Sequence, residues 1–333
     1  MKPHQHILAI LLAFIVNTSY AETDWEWDMD WVSATLDNDL FLGNDNGYTN
    51  GVYFSAYDTG IAEAQPTPSE MVWPLLWSLP AKEFNAAVNA YSVGQVMMTP
   101  DDITVKNPDE DQLPYSGLLF FSTTYLAVED SYADKLATTI GIVGPAAGAK
   151  RAQKTVHKWI GSDDPKGWGT QLENEPVFQL SRGRLWRTWV SDSQNFDMLL
   201  NSEAGLGTLS SYAETGVVLR YGRGLSRSYA TVLLNNSRTT NPVAIDNGWY
   251  IYAGMTAGYT FNQIYTDGNT FRDSRSIDYD HERLGMTAGL AYSWGKFSVT
   301  IALNDANILD TRSEEELEDL TQYGSMSIAY KLK

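Results

Sequence analysis

The stretch from Trp31 to Leu40, WVSATLDNDL, sets Val32, Ala34 and Leu36 on one side of an extended chain and Ser33, Thr35 and Asp37 on the other. Period-two alternation of this kind is the signature of a strand with two differently solvated faces. Comparable stretches recur at 48–58, 86–97, 115–128, 132–143, 170–186, 195–207, 210–223, 249–262, 281–293, 296–307 and 321–333. They are rich in Tyr, Trp, Val and Thr and tolerate glycine. Several are joined by very short polar links, such as Glu129-Asp130 and Gly295-Lys296. Twelve segments, an even number, most about 10–14 residues long, suit tilted strands that cross a bilayer. The fold class predicted is all-β, a twelve-stranded antiparallel transmembrane β-barrel with a short helix on the extracellular side. A soluble sandwich or large barrel is the competing reading. The chain end Tyr330-Lys331-Leu332-Lys333 supports it, because it lacks a terminal aromatic.

The ends and the composition fit an exported protein. Lys2, the apolar run Ile7 to Val16 and small residues at Ser19 and Ala21 predict a signal peptide over 1–21, cut after Ala21, with the barrel domain over 22–333. With 41 acidic against 23 basic residues the net charge is −18, which argues against a nucleic-acid binder. The absence of cysteine excludes a disulfide scaffold, a thiol nucleophile and thiolate metal ligation. Aromatic residues make up 12% of the chain and charged ones 19%, too apolar a balance for a disordered acidic protein.

Three stretches interrupt the strand pattern: 59–85, 144–169 and 224–248. The first carries Pro66, Pro68, Pro74 and Pro80 around Trp73 and Trp77, and reads as buried loop packing before it reads as an interfacial segment. The run SEEELEDL at 313–320 reads as a solvated loop rather than a divalent-ion site.

The chemistry gathers in two places. Residues 146–161, AAGAKRAQKTVHKWIG, predict a short helix between Pro145 and a C-cap at Gly161. Gln153 and His157 then lie one turn apart on one face, beside a stripe of Lys150, Lys154 and Lys158 with Arg151. His157 and His281 are the two histidines of the mature chain, and His281 attracts no role. The second concentration is LDNDLFLGNDNGYTNG, residues 36–51, dense in oxygen ligands. A calcium-binding EF-hand loop is excluded because Leu42 stands where its first aspartate belongs. An Asn46-Gly47 hairpin turn accounts for part of the segment but not for Asn38-Asp39.

Five motifs in order, NDLFLGNDNGYTNG, GQVMMTPDD (94–102), PYSG (114–117), IVGPAAGAKRAQKTVHKWIG (142–161) and GWGTQLENEP (167–176), resemble the lipid A 3′-O-deacylase family, LpxR. The resemblance implies a twelve-stranded outer-membrane barrel in a Gram-negative cell. It also implies calcium-dependent hydrolysis of the 3′-linked acyloxyacyl group of lipid A, so that lipopolysaccharide and outer-membrane lipids are the partners. Carried over by motif, the site comprises Asn38, Thr49, Lys106, Gln153 and His157, with Asp39 and Asp163 as metal ligands and Ca²⁺ as cofactor. Asp163 replaces a glutamate of the family, and Lys106 is assigned over Val105 for its charge. Within that assignment His157 is the general base, since imidazole titrates near neutrality.

Strand geometry brings the candidates to one end. If the N-terminus is periplasmic, nine residues from Trp31 rise about 20 Å when tilted ~45°, which puts Asn38-Asp39 near the outer rim. Thr49, Lys106 and the 144–169 helix follow strands that start or stop at that rim. An outer-membrane phospholipase and a non-catalytic barrel relative are the alternative functions.

Overall fold

The computed structural model describes residues 29–38, 47–59, 66–237, 247–305 and 322–332, with the side chains of 47–49, 234–237 and 322 outside that description. The expected signal peptide, Asp39, the Asn46 turn and the run 313–320 lie outside the described residues.

Twelve strands close into one antiparallel barrel in chain order, with β1 pairing β12 across the seam. They are β1 Trp31–Asn38, β2 Gly47–Asp58, β3 Ala86–Thr99, β4 Ser116–Val128, β5 Tyr132–Val143 and β6 Glu175–Val190. β7 Phe196–Gly207, β8 Ser210–Arg223, β9 Trp249–Gln263, β10 Glu282–Trp294, β11 Phe297–Asp305 and β12 Gln322–Lys331 complete it. A strand such as β4, with 13 residues, spans about 30 Å when tilted ~45°. Only β6 departs clearly from the expected segments, running 175–190 instead of 170–186. Residues 167–170 form a 3-10 turn before it, and a bulge between Arg187 and Trp189 breaks the alternation near its end.

The two faces of the wall differ as the alternation requires. Phe54, Val93, Phe121, Ile140, Phe178 and Leu219 are exposed on the outside. The inside carries paired polar groups: Thr35 with Ser327 at 2.8 Å, Ser55 with Ser92 at 2.7 Å, and the buried ion pair Lys135–Glu203 at 2.9 Å. Each such group finds its partner across the lumen wall, which removes the cost of burying it alone.

The two long links lie at the rim where β1 begins. Residues 225–237, a helical turn followed by a 3-10 segment, enter the lumen. Leu225, Tyr229, Ala230, Val232 and Leu233 join there one buried cluster that includes at least one inward residue of every strand, from Trp31 of β1 to Ala329 of β12. Arg220 ties the plug to the wall, donating to Ser228 Oγ and the Leu225 carbonyl while paired with Asp197 at 2.7 Å. The other link, 66–84, lies on the outside of the wall. Its Val72 and Phe84 are buried against Ala87, Tyr125, Ala127 and Leu136, which share the outward face of Val93, Phe121 and Ile140.

Candidate functional site on the outer wall

The rim helix forms where expected. It spans Ala149–Ile160, entered through Gly148 at φ 75° and closed by Gly161 at φ 77°, both in the left-handed region that suits glycine. The Gly161 and Ser162 amides donate to the His157 carbonyl at 2.8 and 3.0 Å, finishing the last turn. Its buried residues are Ala149, Gln153 and His157, four apart on one stripe, whereas Val156, Trp159 and Ile160 are exposed.

That buried stripe faces the outside of the barrel. Asn38, Asn50, Met97 and Gly117 are cross-strand neighbours in one row over β1 to β4 and therefore share a face. Met97 belongs to a buried cluster with Tyr115, Ala149 and Trp168. A Cβ at Gly117 would come within 2.5 Å of the Ala149 side chain, so the helix rests on β4 only because that position is glycine. Gln95, next on the same face, donates to the Ala147 carbonyl at 2.5 Å. Asn38 thus ends a row whose other end carries the helix.

His157 and Gln153 are held in defined states. His157 Nδ1 lies 2.7 Å from the Asp163 carbonyl. A carbonyl can only accept, so Nδ1 carries the hydrogen and the neutral ring keeps its lone pair on Nε2. The ring is 8% exposed, and its Nε2 is not among the sealed, unpartnered atoms. Gln153, 2% exposed, accepts at Oε1 from the Trp168 indole N–H at 2.7 Å, while its Nε2 is buried without a partner. Trp168 is the residue of this candidate site that the sequence reading missed. Its signal was available in GWGTQLENEP, a tryptophan between Gly167 and Gly169. A Cβ at Gly167 would meet the Tyr115 ring at 2.3 Å, so the backbone must pass close to that ring.

Lys106 is exposed, in the loop between β3 and β4. That loop is pinned to the chain following the helix by Lys166 N–H to the Ile103 carbonyl, 2.8 Å, and by Tyr115 O–H to the same carbonyl, 3.3 Å. Burial pushes the Tyr115 phenol up to about 12, with the Asp102 charge adding to the shift and the Gly167 backbone opposing it. Asp102 is held below the usual carboxylate range by hydrogen bonds from the Thr104 side chain and backbone. Asp163 presents an exposed carboxylate and engages His157 through its carbonyl. Thr49 falls in β2 with its side chain undescribed, and Asp39 lies outside the described residues. The structure thus joins Gln153, His157, Asp163 and the Lys106 loop, and sets Asn38 on the same wall. Among the described residues no group of three His, Asp or Glu side chains is placed to hold a metal ion.

A cleft of about 660 Å³ runs along the helix, lined by Lys150, Arg151, Lys154, Lys158 and Trp159. Lys154 pairs with Asp164 at 3.0 Å, and the rest of the stripe makes no ion pair among the described residues. The lumen cavities, of 140 and 120 Å³, contain none of the candidate residues.

Over residues 7–332 the sequence matches the family model described as outer membrane protein LpxR. The chain belongs to the LpxR family. Its place is accordingly the outer membrane of a Gram-negative cell. The solved structure of LpxR from Salmonella typhimurium has the same fold, with TM-score 0.72 at 15% identity over 91% of this chain and 100% of that one. KdgM porin, TM-score 0.39 at 6% identity, covers 91% of this chain and 99% of its own. Outer membrane phospholipase A from Escherichia coli, TM-score 0.31 at 9% identity, covers 94% and 95%. At those scores the likeness is too slight to bear on function. No curated protein matches in sequence.

Proposed function

We propose that this LpxR-family protein is an outer-membrane hydrolase that removes the 3′-linked acyloxyacyl group from lipid A. The observation that carries the reading is the pairing, on the outside of the barrel, of a histidine with a free Nε2 and a buried glutamine with an unpartnered amide. Lipid A lies in the outer leaflet with its acyl chains alongside the wall. A site on that wall meets the ester without drawing the lipid into the lumen.

The chain's own groups account for ester hydrolysis. His157 Nε2 takes a proton from water as the water oxygen bonds to the acyl carbon. The negative charge that develops on the carbonyl oxygen needs donors already in place, and the Gln153 amide, fixed by Trp168, supplies one. Lys106 adds positive charge from its loop. On collapse the bond between the acyl carbon and the sugar oxygen breaks, and the imidazolium returns its proton to that oxygen. The products are a free acid and a hydroxyl. The basic stripe of Lys150, Arg151 and Lys158 supplies charge complementary to the anionic headgroup.

The expected Ca²⁺ fits the chemistry of the donors that the motif supplies, which are all hard oxygens: the carboxylates of Asp39 and Asp163 and the side-chain oxygens of Asn38 and Thr49. Of these, the Asp163 carboxylate is exposed and its carbonyl already serves His157, so the side chain remains open to an ion. Bound there, Ca²⁺ would supply positive charge to polarise the ester carbonyl.

The test is mass spectrometry of lipid A after incubation with the purified protein. His157→Ala is expected to lower the rate by roughly 10²–10⁴-fold. Asp39→Ala and a chelator are expected to do likewise, and His281→Ala to be nearly silent. Near-parent activity of His157→Ala would overturn the mechanism, and cleavage of phospholipid instead of lipid A would favour the phospholipase reading. A pore-forming relative fits less well, because Leu225, Tyr229, Ala230, Val232 and Leu233 occupy the lumen in one buried cluster with inward residues of the wall.

A further inference from the structure

At the periplasmic rim the outer wall carries a belt of rings. Trp189, Phe196, Tyr221 and Trp249 follow one another at centroid distances of 5.6, 6.5 and 5.9 Å. Tyr292, Trp294, Phe297 and Tyr330 continue it at 5.4, 6.0 and 5.0 Å. Such girdles sit at the headgroup level of a bilayer. The belt runs from β6 to β12 and then stops. At the same rim β3 to β5 turn Ala87, Asn89, Ala127 and Asp134 outward, and of the outward rings there Tyr125 is buried while Tyr132 lies against Lys82 and Arg184, so no ring of this sector is freely exposed.

The 66–84 strap covers this gap. Asn89 Nδ2 donates to the Thr67 carbonyl at 2.7 Å, Thr138 Oγ1 to the Met71 carbonyl at 2.7 Å, and Arg182 Nε to Ser78 Oγ at 3.0 Å. Asp134, fully buried, accepts from Arg184 at 2.7 Å and is also paired with Arg182. The strap therefore shields polar wall groups that could not face hydrocarbon bare. Its inner side buries Val72, yet its outer side is apolar too, with Trp73 71% exposed, Trp77 83% exposed and Leu76 between them. A segment apolar on both sides belongs where water is excluded from both. Lys82 near the strap's end, paired with Glu129 at 2.7 Å, and Arg184 beside it lie 5.3 and 4.9 Å from the Tyr132 ring. Positive charges beside a ring belt stand at the height of lipid phosphates.

We propose that the 66–84 strap is embedded in the periplasmic leaflet, where Trp73 and Trp77 complete the aromatic girdle and contact glycerophospholipid, with Lys82 and Arg184 at its phosphate. On this proposal the strap, which packs Val72 and Phe84 against the wall as the loop reading expects, is an interfacial segment on its outer side.

The full-length protein is reconstituted in phosphatidylcholine vesicles whose acyl chains carry bromine either near the headgroup or deep in the chain. The emission of Trp73 and Trp77 is read as the difference between parent and a W73F/W77F variant, both shown to be folded by heat-modifiable migration. Should the double variant fail to fold, Trp77→Phe alone gives the same difference. Shallow bromine is expected to quench most of that emission and deep bromine much less, with aqueous iodide without effect. Quenching by iodide but not by bromine would place the strap in the periplasm and overturn the proposal. Insensitivity to both, with a parent dimer that the variant lacks, would show that a second copy covers it and would overturn it equally.

Discussion

Replacing Trp168 with Phe isolates the support that Gln153 receives. The substitution keeps a ring beside Tyr115, 5.0 Å away in the parent, and deletes the indole N–H that Gln153 Oε1 accepts at 2.7 Å. A neutral hydrogen bond of this kind contributes about 0.5–1.5 kcal/mol net. Its loss lets the amide leave its working orientation for a corresponding share of the time, roughly three- to tenfold in kcat. Gln153→Ala removes the donor itself and is expected to cost about 10²–10³ in kcat. Because Trp168 acts through Gln153, the double variant should be no slower than Gln153→Ala, the non-additivity expected of two residues in one chain of contacts. The assay is fatty-acid release from lipid A in detergent, with kcat and KM separated and folding checked by heat-modifiable migration. If Trp168→Phe still slows the enzyme severalfold in the Gln153→Ala background, the indole does something other than orient that amide and the reasoning fails.

Other outcomes follow from neighbouring features. Gly117→Val should push the rim helix off β4, since even one added carbon meets Ala149 at 2.5 Å, and should abolish deacylation while the barrel still shifts on heating. Deleting residues 225–233 should give stable single-channel conductance in planar bilayers where the parent is silent, because these residues fill the lumen. Tyr115 is neutral in the folded protein up to about 12 against an ordinary 10, so its contribution is whole below pH 10 and is lost as pH rises toward 12. Tyr115→Phe should therefore remove one component of the alkaline loss of activity in that window.

Most of the barrel was readable because its wall separates two solvents along each strand. Trp31, Ser33, Thr35 and Asp37 alternate with Val32, Ala34 and Leu36, and the structure buries the first set. At β6 the rule lapsed for two local reasons. Gly167–Thr170 imitates the start of a strand but folds as a 3-10 turn that places Trp168, and the bulge after Arg187 hides the end. The helix was legible through its glycine cap and its four-residue spacing, and so were Gln153 and His157. Trp168 was marked only by its flanking glycines, which show that the backbone passes close to a neighbour but not which amide the indole will hold. The fates of 66–84 and 225–233 were illegible for a further reason. One goes outside the wall and one inside it, a choice made by surfaces that exist only once the strands have paired.

The plug also constrains the order in which this molecule can be made. Residues 225–233 lie between β8 and β9, whereas the ring is completed where β1 meets β12. Until that last seam zips, the sheet is an open curl and the plug can settle sideways against strands already beside it. Afterwards, entry would require threading bulky Tyr229 and Leu233 through a rim already lined by Trp31, Tyr57 and Tyr250. The plug therefore acts as a mandrel around which the sheet curls. Its bulk shares one cluster with the small Ala291, Ala302 and Ala329 of β10 to β12, the side of the ring next to the seam, so the seam must close over a lumen already occupied.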